Sequence, residues 1–238
     1  AGAGGTVAAG RVARAAPDGY TLLIHHIALP LGASLYKNLT YDTATAFEPI
    51  GLINYGPYVL TTKLAFPADT PQQLFEQMKT NAAKITFAHA GIGSGSHLCG
   101  LILMQQLKFK SDFVAYRGNS AAMKAVNAGQ VDAAVIYNYY WFGDQAKTGE
   151  NSNNVSLHYF RNQDPGAFVS VSGGGVLASS KNKQQAEAFL KWVTGKGGQD
   201  ILRTGDSFEY AVGVGASSNP KLVPLNELQA PKVDPAKL

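Results

Sequence analysis

The 238-residue sequence lacks the features that mark disulfide-linked, membrane-spanning and nucleic-acid-binding proteins. Its single cysteine, Cys99, cannot form a disulfide within the chain. The longest apolar run, residues 20–35, is interrupted by His25, His26 and Pro30, and it is shorter than the about 20 residues that a membrane span requires. Lysine and arginine form no cluster of the kind that follows a phosphate backbone. We therefore expect a soluble globular protein with no nucleic-acid partner.

Charge is scarce and unevenly distributed along the sequence. Charged residues make up 15% of the chain and hydrophobic residues 45%, which excludes wholesale disorder and suits one large domain or two small lobes. Residues 1–130 contain ten lysines and arginines against six acidic residues, whereas residues 131–238 contain ten of each. Because the positive excess is confined to the first part, an anionic partner is favoured there.

Neither the first residues nor the cysteine defines the compartment. Residues 1–5 have neither the basic nor the apolar segment of a signal peptide, so we expect no signal in this sequence; a signal already removed would leave the same pattern. Cys99 lies in the apolar run 98–103, where a buried and unreactive thiol is expected.

Short apolar runs alternate with helical patterns along the chain. Thr70 followed by Pro71 predicts a helix N-terminus, with Thr70 as the N-cap. The strand-and-helix alternation predicts an α/β fold with parallel strands. Strands are predicted at residues 20–24, 50–62 (with a break at Gly56-Pro57), 85–88, 112–116, 131–136, 155–160 and 168–171, and further helices at 96–107, 119–128 and 183–194.

A glycine- and serine-rich turn, residues 91–97, lies between a predicted strand and a predicted helix. Free N–H groups and serine hydroxyls at such a helix start can hold a carboxylate or a phosphate. The turn has neither the Gly-Lys-Ser/Thr ending of a Walker loop nor the Gly-x-Ser-x-Gly pattern of a nucleophile elbow. A ligand site and an ordinary helix cap by Ser94 or Ser96 are both open at this point.

A second turn, residues 116–120, repeats this arrangement of strand, glycine and polar helix start. Arg117 can grip a carboxylate through two parallel hydrogen bonds, or it can be a surface arginine beside a capped helix. Two helix starts that follow adjacent parallel strands open at the same edge of a sheet. We therefore expect the two turns to border one site.

Five aromatic side chains occur within residues 137–142. Their ordinary role is packing in a core or between lobes. Alternatively, Tyr139 and Tyr140 are phenolate ligands of a hard cation such as Fe³⁺, because only a strongly polarising metal keeps tyrosine, with its pKa near ~10, deprotonated at neutral pH. Neighbours on a strand point to opposite faces, so joint ligation requires the strand to end at Asn138 and the chain to turn there.

The histidines show no zinc-binding pattern, and no Ser/His/Asp order predicts an enzyme. His25 and His26 end a predicted strand, where they either face a cleft or form a structural pair. The five histidines are His25, His26, His89, His97 and His158.

The first part of the chain resembles the Bug family, the periplasmic receptors of tripartite tricarboxylate transporters. The resemblance spans about residues 2–130 and is carried by Gly-Ala-Gly-Gly-Thr at residues 2–6, Ala-Ala-Pro-Asp-Gly-Tyr-Thr-Leu-Leu at 15–23, and residues 35–39, 47–50, 87–91, 95–98 and 114–118. It implies that a substrate carboxylate binds at the helix start formed here by Ser94, Gly95, Ser96 and His97. It also implies a first strand and a glycine-rich ligand loop before Gly2.

The second part is similar to the periplasmic ferric-iron-binding receptors of ABC transporters. This resemblance spans about residues 131–238, with a junction near 129–133, and is carried by residues 139–142, 149–153, 162–170, 172–177 and 189–196. It implies ligation by adjacent tyrosines, here Tyr139 and Tyr140, together with ligands from the first lobe. Because the first lobe here resembles the Bug family, those ligands have no matching position, and His25, His26 or His97 would take their place.

Together the two resemblances imply a two-lobed, type II-like periplasmic binding protein of the α/β class, with helices flanking parallel-rich sheets and a hinge between lobes. The expected lobes are residues 1–60 with 172–220 and residues 61–171 with 221–238, joined by crossing strands near 58–63 and 170–177. We expect a monomeric periplasmic receptor that performs no catalysis, needs no cofactor and works with an inner-membrane transporter. The expected ligand is a small di- or tricarboxylate held by Ser94, Gly95, Ser96, His97 and Arg117; the alternative is ferric iron on Tyr139 and Tyr140.

Overall fold

The computed structural model describes residues 3–161, 164 and 167–228. Short 3-10 turns at Ala3–Gly5 and Ala82–Lys84 precede α1 and β3. The helices are α1 (Thr6–Ala13), α2 (Ala28–Leu35), α3 (Pro71–Thr80), α4 (Gly95–Leu107), α5 (Asn119–Asn127), α6 (Asn138–Gln145), α7 (Lys183–Thr194), α8 (Lys196–Thr204) and α9 (Leu225–Leu228). The strands are β1 (Leu23–His26), β2 (Phe47–Lys63), β3 (Thr86–His89), β4 (Asp112–Ala115), β5 (Ala133–Tyr137), β6 (Val155–Tyr159), β7 (Val169–Leu177) and β8 (Tyr210–Ala211).

The long strand β2 connects the two halves of the sheet. Residues 47–57 of β2 pair antiparallel with β7, and Asn54 and Tyr55 also pair with β8. Residues 58–63 of β2 instead pair antiparallel with β5 on one side and β6 on the other. The sheet order is β1-β7-β2-β5-β3-β4, with β6 and β8 attached to β2 outside this path. The single strand β2, seventeen residues long, therefore pairs with both groups of strands.

The predicted break at Gly56-Pro57 is wrong, because β2 is continuous there and instead changes its partners. Pro57 is the last β2 residue that pairs with β7, and Tyr58 is the first that pairs with β5. The backbone N–H of Tyr58 donates to the carbonyl of Phe168 at 2.9 Å, just before β7 begins. Proline has no N–H to donate to a ladder, so it suits the point where one ladder ends and another begins.

The predicted α/β class is confirmed, and the sheet is mixed. Within the described residues, parallel pairing occurs between β3 and β4 and between β3 and β5, while the other strand pairs are antiparallel. Parallel neighbours require a crossover connection. α4 connects β3 to β4, and the chain from β3 to β5 runs through α4, β4 and α5. The predicted strand–helix alternation therefore gives parallel pairs in this part of the sheet, while the other strand pairs are antiparallel.

The resemblance to the Bug family implies a further strand before Gly2, at the centre of a sheet. Here β7 lies between β1 and β2 and pairs antiparallel with both. The glycine run 173–175 of β7 faces β1 on one side and the start of β2 on the other. Both sides of β7 thus have backbone partners, as a central strand needs.

The core lies on both faces of β5 and fixes the helices that border the site. Val135 packs on one face with Cys99 and Leu103 of α4, whereas Ala134 and Ile136 pack on the opposite face with α5. This alternation is typical of a strand buried on both sides. Cys99 is 1% exposed, which confirms the predicted burial of its thiol, and this burial raises the pKa of the thiol to about 12.

The structure confirms the helix ends that the sequence predicts from local capping and glycine signals. The Thr70 side chain accepts a hydrogen bond from the N–H of Gln73 at 3.2 Å, and α3 begins at Pro71. The helix predicted at 183–194 has those bounds, and α8 follows it directly after Gly195. No helix in the described part of the chain is long and apolar enough to cross a membrane. The end of the second expected lobe, residues 229–238, lies outside the described residues.

The two faces of α4 differ in burial, and this difference predicts unequal contributions to stability. Leu103 is 1% exposed, whereas Leu101 on the same helix is 45% exposed. We expect Leu103→Ala to lower the free energy of unfolding by about 3 kcal/mol, because it removes buried surface and leaves a cavity. We expect Leu101→Ala to cost less than about 1 kcal/mol. Urea unfolding measures both variants, and equal losses would contradict the packing described here.

Candidate functional site

A cavity of about 420 Å³, here called the site cavity, lies where the turns after β3 and β4 meet the end of β1. Ser94, Gly95, Ser96 and Arg117 line it. The two turns are held side by side because β3 and β4 are parallel, with His89 opposite Ala115. The N–H of Tyr116 also donates to the carbonyl of His89 at 2.8 Å. The structure therefore brings the two polar helix starts to one edge of the sheet.

The start of α4 is built by glycines and by two serine hydroxyls. Gly91 and Gly93 adopt left-handed φ angles of 113° and 75°, which permit the sharp turn after β3. Ser94 is the N-cap, and its Oγ accepts from the N–H of His97 at 3.2 Å. The Ser96 Oγ accepts from the N–H of Ala90 at 2.9 Å and lies 3.0 Å from the Ser94 Oγ. These contacts leave the first two N–H groups of α4 without a hydrogen-bond partner among the described residues.

Gly95, the first residue of α4, is required by a close approach to β2. A Cβ at this position would lie 2.0 Å from the Tyr58 hydroxyl oxygen. Tyr58 is 2% exposed, lines the site cavity and stacks on Tyr137 with ring centroids 4.1 Å apart. Burial raises the pKa of Tyr58 well above its usual value, so its hydroxyl stays protonated. A neutral aromatic wall therefore stands against the N-terminus of α4.

The start of α5 has no side-chain cap. The N-cap residue is Gly118, with φ 107°, and α5 begins at Asn119. Asn119 lines the site cavity and is 8% exposed. The adjacent Arg117 is exposed and forms no ion pair with any described residue. The turn before α5 therefore places a guanidinium with no ion-pair partner among the described residues beside a helix start that has no side-chain cap.

His97, predicted with the carboxylate group, is not among the described residues that line the site cavity. Its ring stacks on His89, with centroids 4.5 Å apart, and on Phe113 at 5.6 Å. The N–H of Gly93 donates to its Nδ1 at 3.4 Å. Successive helical residues point in different directions, so His97 faces away from the serines before it. The imidazole supports the turn instead of extending the cavity wall.

The two candidate tyrosines are not equivalent. β5 ends at Tyr137 and α6 begins at Asn138, so the chain turns where joint ligation requires it. Tyr140 lines the site cavity, whereas Tyr139 does not. The ring of Tyr139 lies between those of Tyr137 and Tyr140, at centroid distances of 5.0 and 4.8 Å. Burial raises the pKa of Tyr139 far above its usual value, which opposes the phenolate that a ferric ion needs.

Tyr139 and Tyr140 both line a second cavity, of about 440 Å³. Within the described residues, no group of three or more histidine, cysteine, aspartate or glutamate side chains is placed to hold a metal ion. Of the two candidate tyrosines, Tyr140 alone lines the site cavity, and no ready set of partner ligands accompanies it among the described residues.

The two histidines at the end of β1 differ in their access to the site cavity. His26 lines the site cavity and meets the ring of Tyr137 edge-on at 5.9 Å. A separate, apolar cavity is lined by both His25 and His26, and His25 does not reach the site cavity. The His25 Nδ1 accepts from the N–H of His26 at 2.9 Å, and the His26 Nδ1 accepts from the N–H of Ala28 at 3.3 Å. Burial and the neighbouring His25 lower the pKa of His26 to about 4. His26 is therefore neutral at pH 7.

The site cavity is electropositive. None of the described residues that line it is acidic, and Arg117 is the charged side chain among them. The N-terminal ends of α4 and α5 add the positive ends of two helix dipoles. The arrangement can hold an anion by backbone N–H groups, hydroxyls and one guanidinium.

Sequence patterns indicated the serines and Arg117 but missed other lining residues. Tyr58 and Tyr137 reach the cavity from separate strands, and Gly5 reaches it from the turn before α1. His26, which the sequence allowed either to face a cleft or to form a structural pair with His25, also lines the cavity. Asn119 was recognised only as part of a helix start. Its position directly after Gly118, where no side chain caps the helix, is the signal that could have identified it.

Comparison with known proteins first defines the class. The Fe(3+)-binding periplasmic protein of Serratia marcescens is 74% identical over 129 residues, which are 54% of this chain and 38% of that protein. The structure of the periplasmic binding protein BugD matches with a TM-score of 0.69 and 28% identity, over 81% of this chain and 68% of BugD. Iron-bound HitA from Pseudomonas aeruginosa matches with a TM-score of 0.70 and 31% identity, over 99% of this chain and 83% of HitA. These matches place the chain in the class of the periplasmic solute-binding proteins, and the chain spans less than half the length of the curated relatives that it matches.

A match to a family sequence model identifies the family of this chain. The sequence model of the tripartite tricarboxylate transporter family receptor, TctC, matches residues 1–152. The chain belongs to this family. The match continues past the boundary near residue 130 at which the Bug-like resemblance was expected to end. Both predicted resemblances are confirmed, and the relatives are receptors and not enzymes.

The buried His89, directly before the α4 turn, predicts acid sensitivity. His89 is 2% exposed, its Nδ1 has no partner among the described residues, and burial lowers its pKa to about 4. An unfolded histidine has a pKa near ~6.5, so between these values the unfolded state binds a proton that the folded state does not. Stability is therefore fully present above the unfolded pKa and decreases as the pH falls towards 4.

We expect the urea midpoint to fall as the pH is lowered from 6.5 to 4 and His89→Gln to reduce that slope. The slope should not vanish, because the pKa of His26 is lowered in the same direction. Measurements near pH 8, well above the pKa of an unfolded histidine, serve as the internal reference. An unchanged slope in the variant would contradict a neutral, buried His89.

Proposed function

We propose that this protein captures a small di- or tricarboxylate in the site cavity and delivers it to a tripartite tricarboxylate-type transporter in the inner membrane. The observation that carries the proposal is the meeting of two helix N-termini and Arg117 in one cavity without acidic lining among the described residues. Helix N-termini stabilise anions through their free N–H groups and their dipole. Membership of the TctC family supports the same ligand class.

Each polar group has a defined role in this proposal. One carboxylate accepts hydrogen bonds from the N–H groups of Gly95 and Ser96 at the start of α4. The absence of a Cβ at Gly95 lets the carboxylate and the Tyr58 ring share this narrow space. Arg117 holds a second carboxylate through paired N–H···O bonds, which are among the strongest that a protein offers a carboxylate.

The site cavity would lie between two lobes. We assign residues 1–60 and 172–220 to the first lobe and residues 61–171 and 221–238 to the second, with β2 and β7 as the crossing strands. Gly5 and His26 of the first lobe then face Ser96 and Arg117 of the second across the cavity. A ligand that touches both sides would favour closure by a hinge motion. Such a receptor acts as a monomer.

Ferric iron is the second candidate ligand. Two observations favour it: the relative from Serratia marcescens is named an Fe(3+)-binding protein, and the turn at Asn138 places Tyr139 and Tyr140 side by side. Tyr140 and His26 line the site cavity, whereas His25 and His97 do not. The iron would be cargo of the receptor. Tyr140 would hold it, and Tyr139 would join as a ligand once the buried environment of the Tyr139 side chain changes.

A thermal-unfolding assay with carboxylates tests the first candidate. We expect citrate or succinate at millimolar concentration to raise the unfolding midpoint, because a ligand at a hundred times its Kd stabilises a fold by about 2.7 kcal/mol. Arg117→Gln should weaken binding by about tenfold or more, as a charge-assisted pair is lost. Arg14→Gln is the control, since Arg14 bonds to Thr40 outside the cavity. No shift with any carboxylate would overturn the proposal.

Visible absorption tests the iron candidate. A ferric ion bound to tyrosinate colours a protein, so ferric loading should produce a visible band that Tyr140→Phe removes. Tyr20→Phe is the matched control, because Tyr20 is 92% exposed and lies outside the cavity. A colourless protein after iron loading, or a band that both variants retain, would exclude the tyrosine pair as an iron site.

A further inference from the structure

The apolar cavity beside His25 and His26 has a volume of about 570 Å³ and lies against β1, β7 and the start of β2. This volume is within the range of about 300–1,000 Å³ that small-molecule sites occupy. Leu23 and Phe47 form a buried part of its wall, whereas Leu52 is 43% exposed and leaves the cavity open to solvent on that side. None of the described residues that line it is a lysine, arginine, aspartate or glutamate. The proposed capture of a carboxylate makes no use of this cavity.

The floor of the apolar cavity is strand backbone without side chains. Successive residues of a strand point to opposite faces, and a Cβ on Gly174 would meet Leu190 on the far face of the sheet. Gly173 and its β1 partner His25 therefore face the cavity. A Cβ on Gly173 would meet the Gly51 carbonyl oxygen at 3.4 Å, which is an ordinary van der Waals contact. A side chain at position 173 would thus project into the cavity without a clash, and glycine leaves that space open.

The polar groups around this floor are engaged or shielded. β7 pairs with β1 on one side and with β2 on the other, so the backbone of the floor is used in the sheet. The Nδ1 atoms of His25 and His26 accept from backbone N–H groups at 2.9 and 3.3 Å. The Oγ1 of Thr43, which has no partner among the described residues, is shielded from solvent and is not open to an occupant. A peptide or a sugar would leave its own polar groups unpaired here, which is unfavourable.

The shape of the cavity selects a flat ring among apolar occupants. Aromatic side chains cover glycines in the strands of sheets, because a flat ring fits against bare peptide groups. The wall adds the rings of Phe47, His25 and His26. Rings that meet offset or edge-on gain more than the burial of their area alone provides. An uncharged aromatic molecule therefore matches both the floor and the wall.

We propose that the apolar cavity binds a neutral aromatic small molecule whose ring lies flat on the glycine floor at residue 173. This site is distinct from the site cavity, because His26 is the one residue common to their described linings. The receptor then has two sites of opposite chemistry, one for an anion and one for an uncharged ring. The second site does not depend on the capture of a carboxylate.

A fluorescence titration of the full chain tests the proposal at pH 7.5. The probe is N-phenyl-1-naphthylamine, an uncharged aromatic molecule whose emission rises in apolar surroundings. We expect a saturable rise in emission that excess succinate does not reverse, because a carboxylate occupies the other cavity. No saturable rise, or competitive release of the probe by succinate, would overturn the proposal.

Variants of the floor and the wall locate the bound probe. Gly173→Val should weaken probe binding by at least about tenfold, because its side chain fills the cavity. Valine suits a strand, so this variant should fold. Leu52→Ala should weaken binding by about fivefold through lost apolar contact. Leu101→Ala is the matched control, since Leu101 is 45% exposed and lies outside this cavity. Thermal unfolding without probe verifies that each variant folds, and parent-like affinity in both cavity variants would overturn the proposal.

Two alcohols of similar size test the preference for a flat ring. Benzyl alcohol and cyclohexylmethanol are both uncharged, and they differ in that the first ring is flat and the second is puckered. We expect benzyl alcohol to displace the probe at the lower concentration, although cyclohexylmethanol is the more apolar of the two. Displacement by cyclohexylmethanol at the lower concentration would show that the aromatic assignment is wrong.

Discussion

The parallel pairing of β3 with β4 is the constraint on which the site cavity depends. The register places His89 opposite Ala115, and the N–H of Tyr116 continues the ladder to the His89 carbonyl. As a result, the chain leaves both strands at the same edge and enters α4 and α5 close together. A shift of one residue in this register would turn the polar residues of one turn to the opposite face. The starts of α4 and α5 are adjacent because the backbone hydrogen bonds between β3 and β4 hold the two turns side by side.

The other side of the cavity depends on β2 and β5. Tyr58 and Tyr137 lie opposite each other at the point where β2 exchanges β7 for β5. Their stacked rings form an apolar wall, and the N-terminus of α4 reaches that wall only because residue 95 is glycine. The strand that joins the two groups of the sheet therefore also closes the cavity. The burial that keeps these phenols protonated also limits them as metal ligands.

Sequence reasoning succeeded where the signal is local. The Thr70–Pro71 helix start, the glycine- and serine-rich turn at 91–97 and the end of α7 at Gly195 each depend on backbone preferences within a few residues, and all three are realised. The continuity of β2 through Gly56-Pro57 could not be predicted in this way, because it depends on partner strands that approach from distant parts of the chain.

The residues of the site cavity could likewise be predicted only where the signal is local. Ser94, Ser96 and Arg117 were recognisable from their turns, whereas Tyr58, Tyr137 and His26 become neighbours only through the sheet. The side chain of His97 faces away from the cavity because the direction of a helical side chain depends on its position in the turn, which spacing alone does not reveal.

A crystal structure of the protein grown with its tightest-binding carboxylate will show whether the start of α4 holds a carboxylate. We predict carboxylate oxygens within about 3 Å of the backbone nitrogens of Gly95 and Ser96, with the Arg117 guanidinium on a second carboxylate. A ligand bound elsewhere, with no oxygen at the start of α4, or a ferric ion on Tyr139 and Tyr140 in its place, would contradict it.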